Sequence, residues 1–305
     1  MMTEVIAVLV AVPTFRRPHL LSALLAEIDR QCTDADALRT RIVVIDNDPA
    51  MSAESATRNA GAEYLFEPTP GIAAVRQCAL DHARTDELVV MVDDDVFPEP
   101  GWLASLVAAW RPTRPAAILG YVRYVWPSGT DPWIAAGGFM RRSHHSTGTR
   151  LTAFVTGNVL IDPGIARELG VRFDTSLGLA GGEDVRFGTD LLAAGGTIIA
   201  CSESVCRDDI PTIRATRGFV RTRTIAHGTG YVQATLRERK GAALLIARVQ
   251  GLFGGIVRWI SFTALHLCGR LSDNIALDAQ SQRRAWFAIG RMLGSLGRRR
   301  DEYAR

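Results

Sequence analysis

The chain has 305 residues, of which 47% are hydrophobic and 22% are charged, so it is long and apolar enough to bury a full core. Intrinsically disordered and fibrous classes are therefore excluded. The five cysteines include no C-x-x-C pair, which argues against a disulfide framework and a structural zinc site and favours a reducing compartment.

Charge is distributed unevenly along the chain, although the formal net charge is only +3. Residues 1–236 carry 22 Lys and Arg against 27 Asp and Glu, whereas residues 237–305 carry 13 against 5. This asymmetry predicts an acidic catalytic or metal-binding body, followed by a basic extension that meets phosphates, nucleic acid or an anionic membrane surface. Nucleic acid is disfavoured because no basic patch is interleaved with stacking aromatic side chains.

Short runs rich in Val and Ile alternate with segments of helical pattern, which predicts an α/β fold with a mixed, mostly parallel sheet flanked by helices. In chain order the predicted elements are strand 5–12, helix 20–28, strand 42–45, strand 64–66, helix 71–83, strand 88–92, a helix ending at Trp110, and strand 116–125. The binding crevice of such a sheet lies at the carboxyl ends of its strands.

The second half of the chain is less regular. Residues 127–149 predict a long loop that is either functional or disordered. A strand over 153–161, a helix over 183–194 and a strand over 197–201 follow, and beyond residue 237 the pattern predicts a helical extension. Arg248 and Arg258 interrupt the most apolar stretch of that extension, so no clear transmembrane helix is expected. The N-terminal apolar run ends at Pro13 without a preceding basic segment, which predicts a buried strand rather than a signal peptide.

Three consecutive aspartates, Asp93, Asp94 and Asp95, follow the predicted strand 88–92. Like charges this close raise one another's pKa, so a cation is expected beside them. If extended geometry persists past the strand, Asp93 and Asp95 point to one side and can share a divalent ion. Carboxylate oxygens without nearby His or Cys favour Mg²⁺ or Mn²⁺. The alternatives are a solvated turn or a cap for the next helix, and the cap fits poorly because Pro100 begins that helix five residues later.

Six motifs in chain order together resemble the family 2 glycosyltransferases of GT-A fold, and among them the succinoglycan-type glucosyltransferases of bacterial polysaccharide assembly. They are PTFRRP from Pro13, VIDND from Val44, PGIAAVR from Pro70, VDDD from Val92, Phe173-Asp174, and Gly182-Glu183-Asp184. Each motif alone is weak, but six in this order are specific. The resemblance covers residues 5–235 and implies a GT-A catalytic domain over residues 1–236, with residues 237–305 as a basic amphipathic helical extension.

The resemblance also implies which residues bind the nucleotide sugar. The turn after the first strand and the acid after the second would grip the base and ribose, which implicates Pro13, Thr14, Phe15, Arg16 and Asp46. The diphosphate side would involve Arg76, Asp93 and Asp94. Within this D-x-D region, Asp93 and Asp95 would hold a Mg²⁺ or Mn²⁺ ion that bridges the diphosphate. The alternative for Arg76 is an exposed helix arginine.

The Glu183-Asp184 pair is implied to supply the general base, with Asp184 taking the acceptor proton in a direct displacement that inverts the anomeric carbon. An acid at this position is also a common stabiliser of a helix N-terminus.

Two further groups of residues are candidates for ligand contacts. Arg221, Arg223 and His227 lie where related enzymes often place diphosphate or acceptor contacts, and Thr156, Gly157 and Asn158 could line the acceptor pocket. The alternatives are solvated arginines, a buried hydrogen-bonded histidine and a turn beside a strand.

The expected function is transfer of a sugar from a nucleotide diphosphate sugar, with uridine as the expected base, to a glycan or polyprenyl-linked acceptor. The expected location is the cytoplasm, peripherally on the inner membrane, with the basic helices in the interface and their arginines toward anionic headgroups. Those helices could instead pack as a subdomain on the catalytic body or in a homodimer. The alternatives for function are transfer to a soluble natural-product acceptor, or a catalytically silent membrane-associated binding or scaffold protein of the same fold. Intact Asp93, Asp95 and Asp184 argue against the silent protein.

Overall fold

A computed structural model describes residues 5–33, 38–178, 182–236 and 239–298. The described residues form a sheet of eight strands and ten α-helices. The strands are β1 Ile6–Thr14, β2 Leu38–Asp46, β3 Glu63–Phe66, β4 Glu87–Val92, β5 Val96–Pro98, β6 Ala117–Val125, β7 Asn158–Ile161 and β8 Ile198–Asp209. The helices are α1 Pro18–Thr33, α2 Glu54–Asn59, α3 Ile72–His82, α4 Trp102–Trp110, α5 Pro132–Ala136, α6 Pro163–Glu168, α7 Glu183–Ala193, α8 Arg217–Leu236, α9 Gly241–Leu271 and α10 Ile275–Ser295.

The sheet is mixed, in the order β3-β2-β1-β4-β7-β6-β8-β5. β1 pairs in parallel with β2 and β4, and β2 pairs in parallel with β3, whereas the pairs β4–β7, β6–β7 and β5–β8 are antiparallel. The predicted α/β fold with a mixed sheet is therefore confirmed. Thr14 lies beside Asp46 in the register, so β1 and β2 end at the same edge, where β4 also ends.

The central strand β1 is buried along its whole length, which is typical of a parallel strand covered by helices on both faces. On one face, β1 packs with α1 and α4, including the fully buried Trp102. On the other face it packs with α3 and α7, where Phe187 stacks on Phe173 at a centroid distance of 4.2 Å. These two cores fix the ends of the strands that carry the polar residues described below.

The chain separates into two compact units. The first, here called the sheet unit, comprises Met1–Arg123 and Arg142–Asp208, and the second, the helical unit, comprises Tyr124–Arg141 and Asp209–Arg305. The division proposed after residue 236 thus differs from the one in the structure. The physical reason is that α8, which precedes that position, packs on α10, which follows it.

The region 127–149, expected to be an irregular loop, contains the short helix α5. Asp131 caps this helix by accepting a hydrogen bond from the Trp133 backbone nitrogen at 2.9 Å, and the Trp133 side chain is buried. The strand expected over 153–161 begins only at Asn158. Short elements such as α2, α6 and β5 carry too few residues to show a period in the sequence.

The helical unit is organised around α10, which contacts α5, α8 and α9. α8 and α10 touch backbone to backbone through two glycines. A Cβ added to Gly228 would lie 2.3 Å from the Phe287 carbonyl oxygen, and one added to Gly290 would lie 2.1 Å from the Ile225 carbonyl oxygen. The Thr229 hydroxyl donates to the Gly290 carbonyl at 3.2 Å across the same contact.

The helix α9 has 31 residues and is long and apolar enough to cross a membrane by length and composition, which revises the expectation that no such helix occurs. Nine of its eleven exposed large apolar side chains define the α9 stripe: Leu245, Ile246, Val249, Phe253, Ile256, Val257, Ile260, Leu267 and Leu271. The other two, Trp259 and Leu265, lie outside it. At about 100° per residue the stripe occupies an arc of about 120° that contains no charged residue of this fully described helix. The residues that α9 buries, Ala247, Gly255 and Gly269, lie on the opposite face.

Two arginines of α10 lie over aromatic rings of the neighbouring helices. The Arg284 guanidinium lies over the Phe262 ring at 5.5 Å, and the Arg291 guanidinium lies over the Tyr231 ring at 5.4 Å. These cation–π contacts tie α10 to α9 and α8. The outward apolar surface of the extension therefore belongs to α9, and α10 is a packed helix of the helical unit.

Candidate active site

The end of β1 meets the triple aspartate through two hydrogen-bonded side chains. The Thr14 hydroxyl donates to Asp94 Oδ2 at 2.8 Å. Arg17 Nη1 donates to Asp94 Oδ1 at 2.8 Å and to Asp95 Oδ2 at 2.9 Å. Burial raises the pKa of Asp94 to about 6, although the Arg17 charge acts in the opposite direction. Asp94 thus holds β1 to β4 from a buried position, and its expected contact with the nucleotide sugar stays a prediction.

A turn separates Asp93 from Asp95. The Val96 backbone nitrogen donates to the Asp93 carbonyl at 3.0 Å, so extended geometry ends with β4 at Val92. Asp95 consequently shares the Arg17 nitrogen with Asp94, while Asp93 Oδ1 accepts from Arg76 Nη2 at 3.2 Å. The expectation that Asp93 and Asp95 alternate with Asp94 as in a strand is therefore wrong.

Arg76 is a buried bridge between two acids that are distant in sequence. Besides its contact with Asp93, it forms an ion pair with Glu183, and only 5% of its surface is exposed. Gly71 starts its helix at φ 116°, and a Cβ there would lie 2.5 Å from the Gly178 carbonyl oxygen, so only glycine fits. The alternative of an exposed helix arginine is excluded.

The acid pair at the start of α7 divides into an inner and an outer carboxylate. Glu183 is buried against Arg76, and burial raises its pKa while the Arg76 charge opposes the effect. Asp184 is half-buried, and its Oδ1 accepts from the Val185 backbone nitrogen at 2.7 Å. Among the described residues no cationic side chain pairs with Asp184. Of the two, Asp184 is the carboxylate available to an incoming hydroxyl.

At the end of β2, Asp46 is fully buried and both of its carboxylate oxygens are occupied. Oδ1 accepts from the Asp48 backbone nitrogen, and Oδ2 accepts from the Ala53 backbone nitrogen, each at 2.9 Å. The Tyr64 hydroxyl also donates to Oδ2 at 3.2 Å, and burial together with the Asp46 charge raises the pKa of Tyr64 to about 12. Asp46 therefore fastens the loop after β2, and its expected contact with the base stays a prediction.

The neighbouring Asn47 has a structural role that was not foreseen. Its Nδ2 donates to the Glu67 and Thr69 carbonyls at 2.7 and 2.8 Å, and its Oδ1 accepts from the Gly71 nitrogen at 2.9 Å. Asn47 thus positions the loop that leads into α3. Its motif is visible in the sequence, but its partners lie 20 to 24 residues away.

The turn after β1 presents an aromatic surface. Phe15 is 49% exposed, and the Arg16 guanidinium lies 4.8 Å from the centre of its ring. Arg16 adopts φ 58° and its Nε donates to Asp48 Oδ1 at 3.1 Å. An exposed ring beside a cation can stack on a planar base. Pro13, by contrast, is buried in β1 beside Ile45 and offers no surface to a ligand.

Asn158, expected at the acceptor pocket, is instead buried at the start of β7. Its Oδ1 accepts from Trp102 Nε1 at 2.8 Å, and its Nδ2 donates to the Tyr121 and Ser204 carbonyls at 3.2 and 3.1 Å. Its amide is satisfied within the protein, so the expectation for Asn158 is corrected.

Gly157 lies against the carboxylate of Asp93. With φ at 98°, a Cβ at this position would lie 2.8 Å from Asp93 Oδ2 and 3.2 Å from Arg142 Nη2. Glycine therefore keeps space open beside the acid. Arg142 was not identified from the sequence, where its segment showed no pattern. Its Nη2 donates to the Thr156 carbonyl at 2.9 Å, and its buried Nη1 has no hydrogen-bond acceptor among the described residues.

The carboxylates of Asp93 and Asp95 are too few to hold a divalent cation alone, but they can hold one together with the phosphates of a bound substrate. Among the described residues there is no group of three or more His, Cys, Asp or Glu side chains that could hold a metal. Asp93 and Asp95 retain 32% and 28% side-chain exposure. Mg²⁺ is commonly held by one or two carboxylates plus substrate phosphates, so this donor set fits an ion that arrives with a diphosphate. Arg223 and His227 lie on α8 in the helical unit, and their roles stay predictions.

Comparison with known proteins decides the family. The profile described as Glycosyl transferase family 2 matches residues 9–170. The succinoglycan biosynthesis protein ExoM of Rhizobium meliloti is 32% identical over 240 residues, which are 75% of each chain. The chain belongs to glycosyl transferase family 2. The resemblance inferred from the motifs is thereby confirmed, and the protein is a glycosyltransferase.

Solved structures place this glycosyltransferase among proteins of GT-A fold. The mannosyltransferase PcManGT of Pyrobaculum calidifontis, in complex with GDP-Man and Mn²⁺, matches with a TM-score of 0.61 and 21% identity, over 95% of this chain and 86% of that one. GalNAc-T7 with UDP, GalNAc and Mn²⁺ matches with a TM-score of 0.54 and 14% identity, over 79% of this chain and 52% of that one. The matched family region contains Asp93, Asp95 and Arg76, whereas Glu183 and Asp184 lie beyond it.

Proposed function

We propose that the sheet unit transfers a sugar from a nucleotide diphosphate sugar to a glycan or polyprenyl-linked acceptor, with inversion at the anomeric carbon. One observation carries the proposal. Arg76 joins Asp93 to Glu183, so the end of β4 and the start of α7 are fastened together, with Asp184 left open beside them. Polysaccharide assembly as the setting is supported by the relationship to a succinoglycan biosynthesis protein.

On the donor side, the exposed Phe15 ring would stack on the base, which we propose to be uracil, and Thr14 and Arg16 would fix the turn that carries this ring. Structures of similar fold bind Mn²⁺ with either a GDP-sugar or UDP, which supports a divalent ion here and keeps guanine as the rival base. Asp93 and Asp95 would hold Mg²⁺ or Mn²⁺, and such an ion stabilises the negative charge of a departing diphosphate. The unsatisfied Nη1 of Arg142 would donate to the same diphosphate.

On the acceptor side, Asp184 would take the proton from the attacking hydroxyl. The new bond from the acceptor oxygen to the anomeric carbon forms on the face opposite to the departing diphosphate, which inverts the configuration without a covalent intermediate. Glu183 cannot easily share this role because it is buried in the ion pair with Arg76.

We propose a peripheral location on the cytoplasmic face of a membrane, with the α9 stripe as the contact. The stripe is apolar and exposed along a helix about 46 Å long. A continuous apolar surface of this length is larger than the apolar patches that soluble proteins usually expose. Residues 237–305 carry eight more basic than acidic residues, a charge complementary to anionic headgroups. Because Arg248, Arg258 and Arg270 all lie off the stripe, the helix suits an interfacial orientation parallel to the bilayer.

The test is a panel of nucleotide sugars incubated with the full chain and Mn²⁺, first by thermal shift and then by slow donor hydrolysis. A donor at about 100 times its Kd should stabilise the protein by about 2.7 kcal/mol. The stabilising effect of the true donor should be lost in EDTA. With an added glycan acceptor, NMR of the glycoside formed should show the inverted anomer. A retained configuration, or hydrolysis of the donor that is equal with and without EDTA, would contradict the proposed mechanism.

Arg142 offers a matched pair for the diphosphate contact. Arg142→Gln should raise the donor KM by about tenfold, because a hydrogen bond to a charged group is lost. Arg141→Gln removes the same charge from the exposed adjacent residue and should leave KM within about twofold. Equal KM values for the two variants would remove Arg142 from the site.

A further inference from the structure

The helical unit contains a pocket of its own, with a volume of about 590 Å³. Trp133 of α5 and Trp286 of α10, both buried, form an aromatic wall with ring centroids 5.7 Å apart. Arg217 and Arg221 of α8 and Arg270 of α9 also line it. Three arginines thus line this pocket of the helical unit.

One of the three arginines is neutralised by the protein. Arg217 Nε donates to Asp131 Oδ2 at 2.6 Å, and its guanidinium lies 4.6 Å from the centre of the Trp133 ring. Asp278, the acid that lines the pocket, lies beside His266, and the Asp131 hydrogen bond together with the charge of Asp278 raises the pKa of Arg217. Arg217 therefore acts as part of the wall and its charge is largely compensated.

Arg221 and Arg270 are different. Both are exposed and come from different helices, and among the described residues neither has a carboxylate partner. Two like charges lining one pocket repel each other unless an anion lies between them. The guanidinium fork matches phosphate oxygens in a bidentate manner, so a phosphate group can satisfy both arginines.

The position of Arg270 indicates where such a phosphate would come from. Arg270 lies on α9 between Leu267 and Leu271, the last two members of the α9 stripe, which are 52% and 88% exposed. At about 100° per residue, Arg270 is only about 60° from Leu267 around the helix. The pocket therefore adjoins the end of the apolar surface, where the phosphate of a membrane-anchored molecule would lie.

We propose that this pocket binds the phosphate ester group of a membrane-anchored ligand, such as a polyprenyl-linked acceptor, with Arg221 and Arg270 as its ligating residues. The proposal rests on the proposed function for the identity of the acceptor, but not for the existence of the phosphate site. A polyprenyl chain would follow the α9 stripe, and the indole wall would contact the first group beyond the phosphate.

The experiment uses the full chain and two probes, inorganic pyrophosphate in solution and phosphatidylcholine vesicles that contain a minor fraction of polyprenyl monophosphate. The variant Arg221→Gln/Arg270→Gln is compared with Arg248→Gln/Arg258→Gln, which removes two exposed charges from α9 outside the pocket. The pocket variant should bind both probes at least about tenfold more weakly than the wild type, because it loses charged hydrogen bonds. The control should lose less than about threefold.

Equal binding of both probes by the two double variants would overturn the site. Pyrophosphate binding that depends on the pocket, combined with vesicle binding that does not, would overturn the membrane-anchored source and leave a site for a free anion. Equal melting temperatures in both variants exclude unfolding as the cause.

Donor hydrolysis without acceptor separates this proposal from the proposed function. It should remain at the wild-type level in the pocket variant, because the proposal assigns Arg221 and Arg270 to the phosphate of the acceptor and not to the donor diphosphate. Failure of the wild type to turn over any donor would refute the transferase mechanism while pyrophosphate and vesicle binding still report on the pocket.

Discussion

The sheet unit and the helical unit distribute apolar and charged side chains in opposite ways. In the sheet unit the apolar strands are buried, and acids such as Asp94 and Glu183 are paired inside with Arg17 and Arg76. In the helical unit the longest apolar surface, the α9 stripe, is exposed, while arginines of α10 lie against aromatic rings within the unit.

This contrast supports the proposed attachment of the helical unit to a membrane. The sheet unit satisfies its own buried groups and leaves a few polar atoms, such as those of Asp184 and Arg142, for a ligand. In the helical unit, the α9 stripe alone leaves nine large apolar side chains exposed to water, which is unfavourable unless another apolar surface covers them. Substitutions should therefore affect chemistry in the first unit and membrane attachment in the second.

The largest effect is expected from Asp184→Asn. The variant keeps the shape of the side chain but cannot accept a proton, so transfer should fall by about 10² to 10⁴ with donor binding nearly unchanged. Steady-state kinetics with calorimetry of the donor would show this. Asp190→Asn, on the same helix and paired with Arg186, is the control and should retain most activity. If Asp184→Asn kept more than about half of the activity, the base would be another group.

The sequence was sufficient for features with a local signal. Apolar runs such as the one that became β4 predicted the strands, and their ends predicted where Thr14 and Asp93 would lie. The turn between Asp93 and Asp95 was missed because a strand pattern does not show at which residue extended geometry stops.

Long-range partners could not be obtained in the same way. Asn158 bonds to Trp102, 56 residues away, and Arg76 pairs with Glu183, 107 residues away. Nothing in either local sequence encodes such a contact. The α9 stripe, by contrast, is encoded locally. Its apolar residues fall on one side of a helical wheel, although Arg248 and Arg258 interrupt the apolar run in the sequence.

The next effect tests the exposed surface of the helical unit. Phe253→Glu/Ile260→Glu places two charges on the α9 stripe and should weaken binding to anionic vesicles by roughly 10- to 100-fold, because charged side chains cannot enter the apolar boundary. Co-sedimentation measures this binding. Gln250→Glu/Ser261→Glu adds the same charges off the stripe and should weaken binding much less. Equal losses of vesicle binding in the two variants would mean that added negative charge alone weakens the binding. The α9 stripe would then not be the membrane contact, and the proposed difference between the two units would be wrong.

A smaller effect should appear inside the helical unit. Gly228→Ala forces a methyl group against the Phe287 carbonyl and should destabilise the packing of α8 on α10 by about 1–3 kcal/mol. Gly230→Ala, two residues along the same helix, meets nothing within 4 Å and should be neutral or stabilising by about 0.5–1 kcal/mol. Hydrogen exchange of the amides of α8 and α10 resolves the difference. Equal protection in both variants would mean that the two helices do not need close contact.

The smallest effect concerns an internal ion pair of the sheet unit. Arg41 donates to both oxygens of the buried Glu87 at 2.9 and 2.8 Å, and this contact lowers the Glu87 pKa to about 2. A lowered pKa in the folded state stabilises the protein above the unfolded value of about 4.5, and the stabilisation is lost as the pH falls toward 2. Glu87→Gln should therefore cost about 1–3 kcal/mol at pH 7 and progressively less below pH 4.5. Glu63→Gln removes the exposed partner of the same arginine and should cost less than about 1 kcal/mol with a weaker pH dependence. Urea unfolding between pH 3 and pH 7 measures the free energy of unfolding of both variants. An equal loss of stability in Glu63→Gln and Glu87→Gln would show that the buried ion pair of the sheet unit contributes no more than an exposed one.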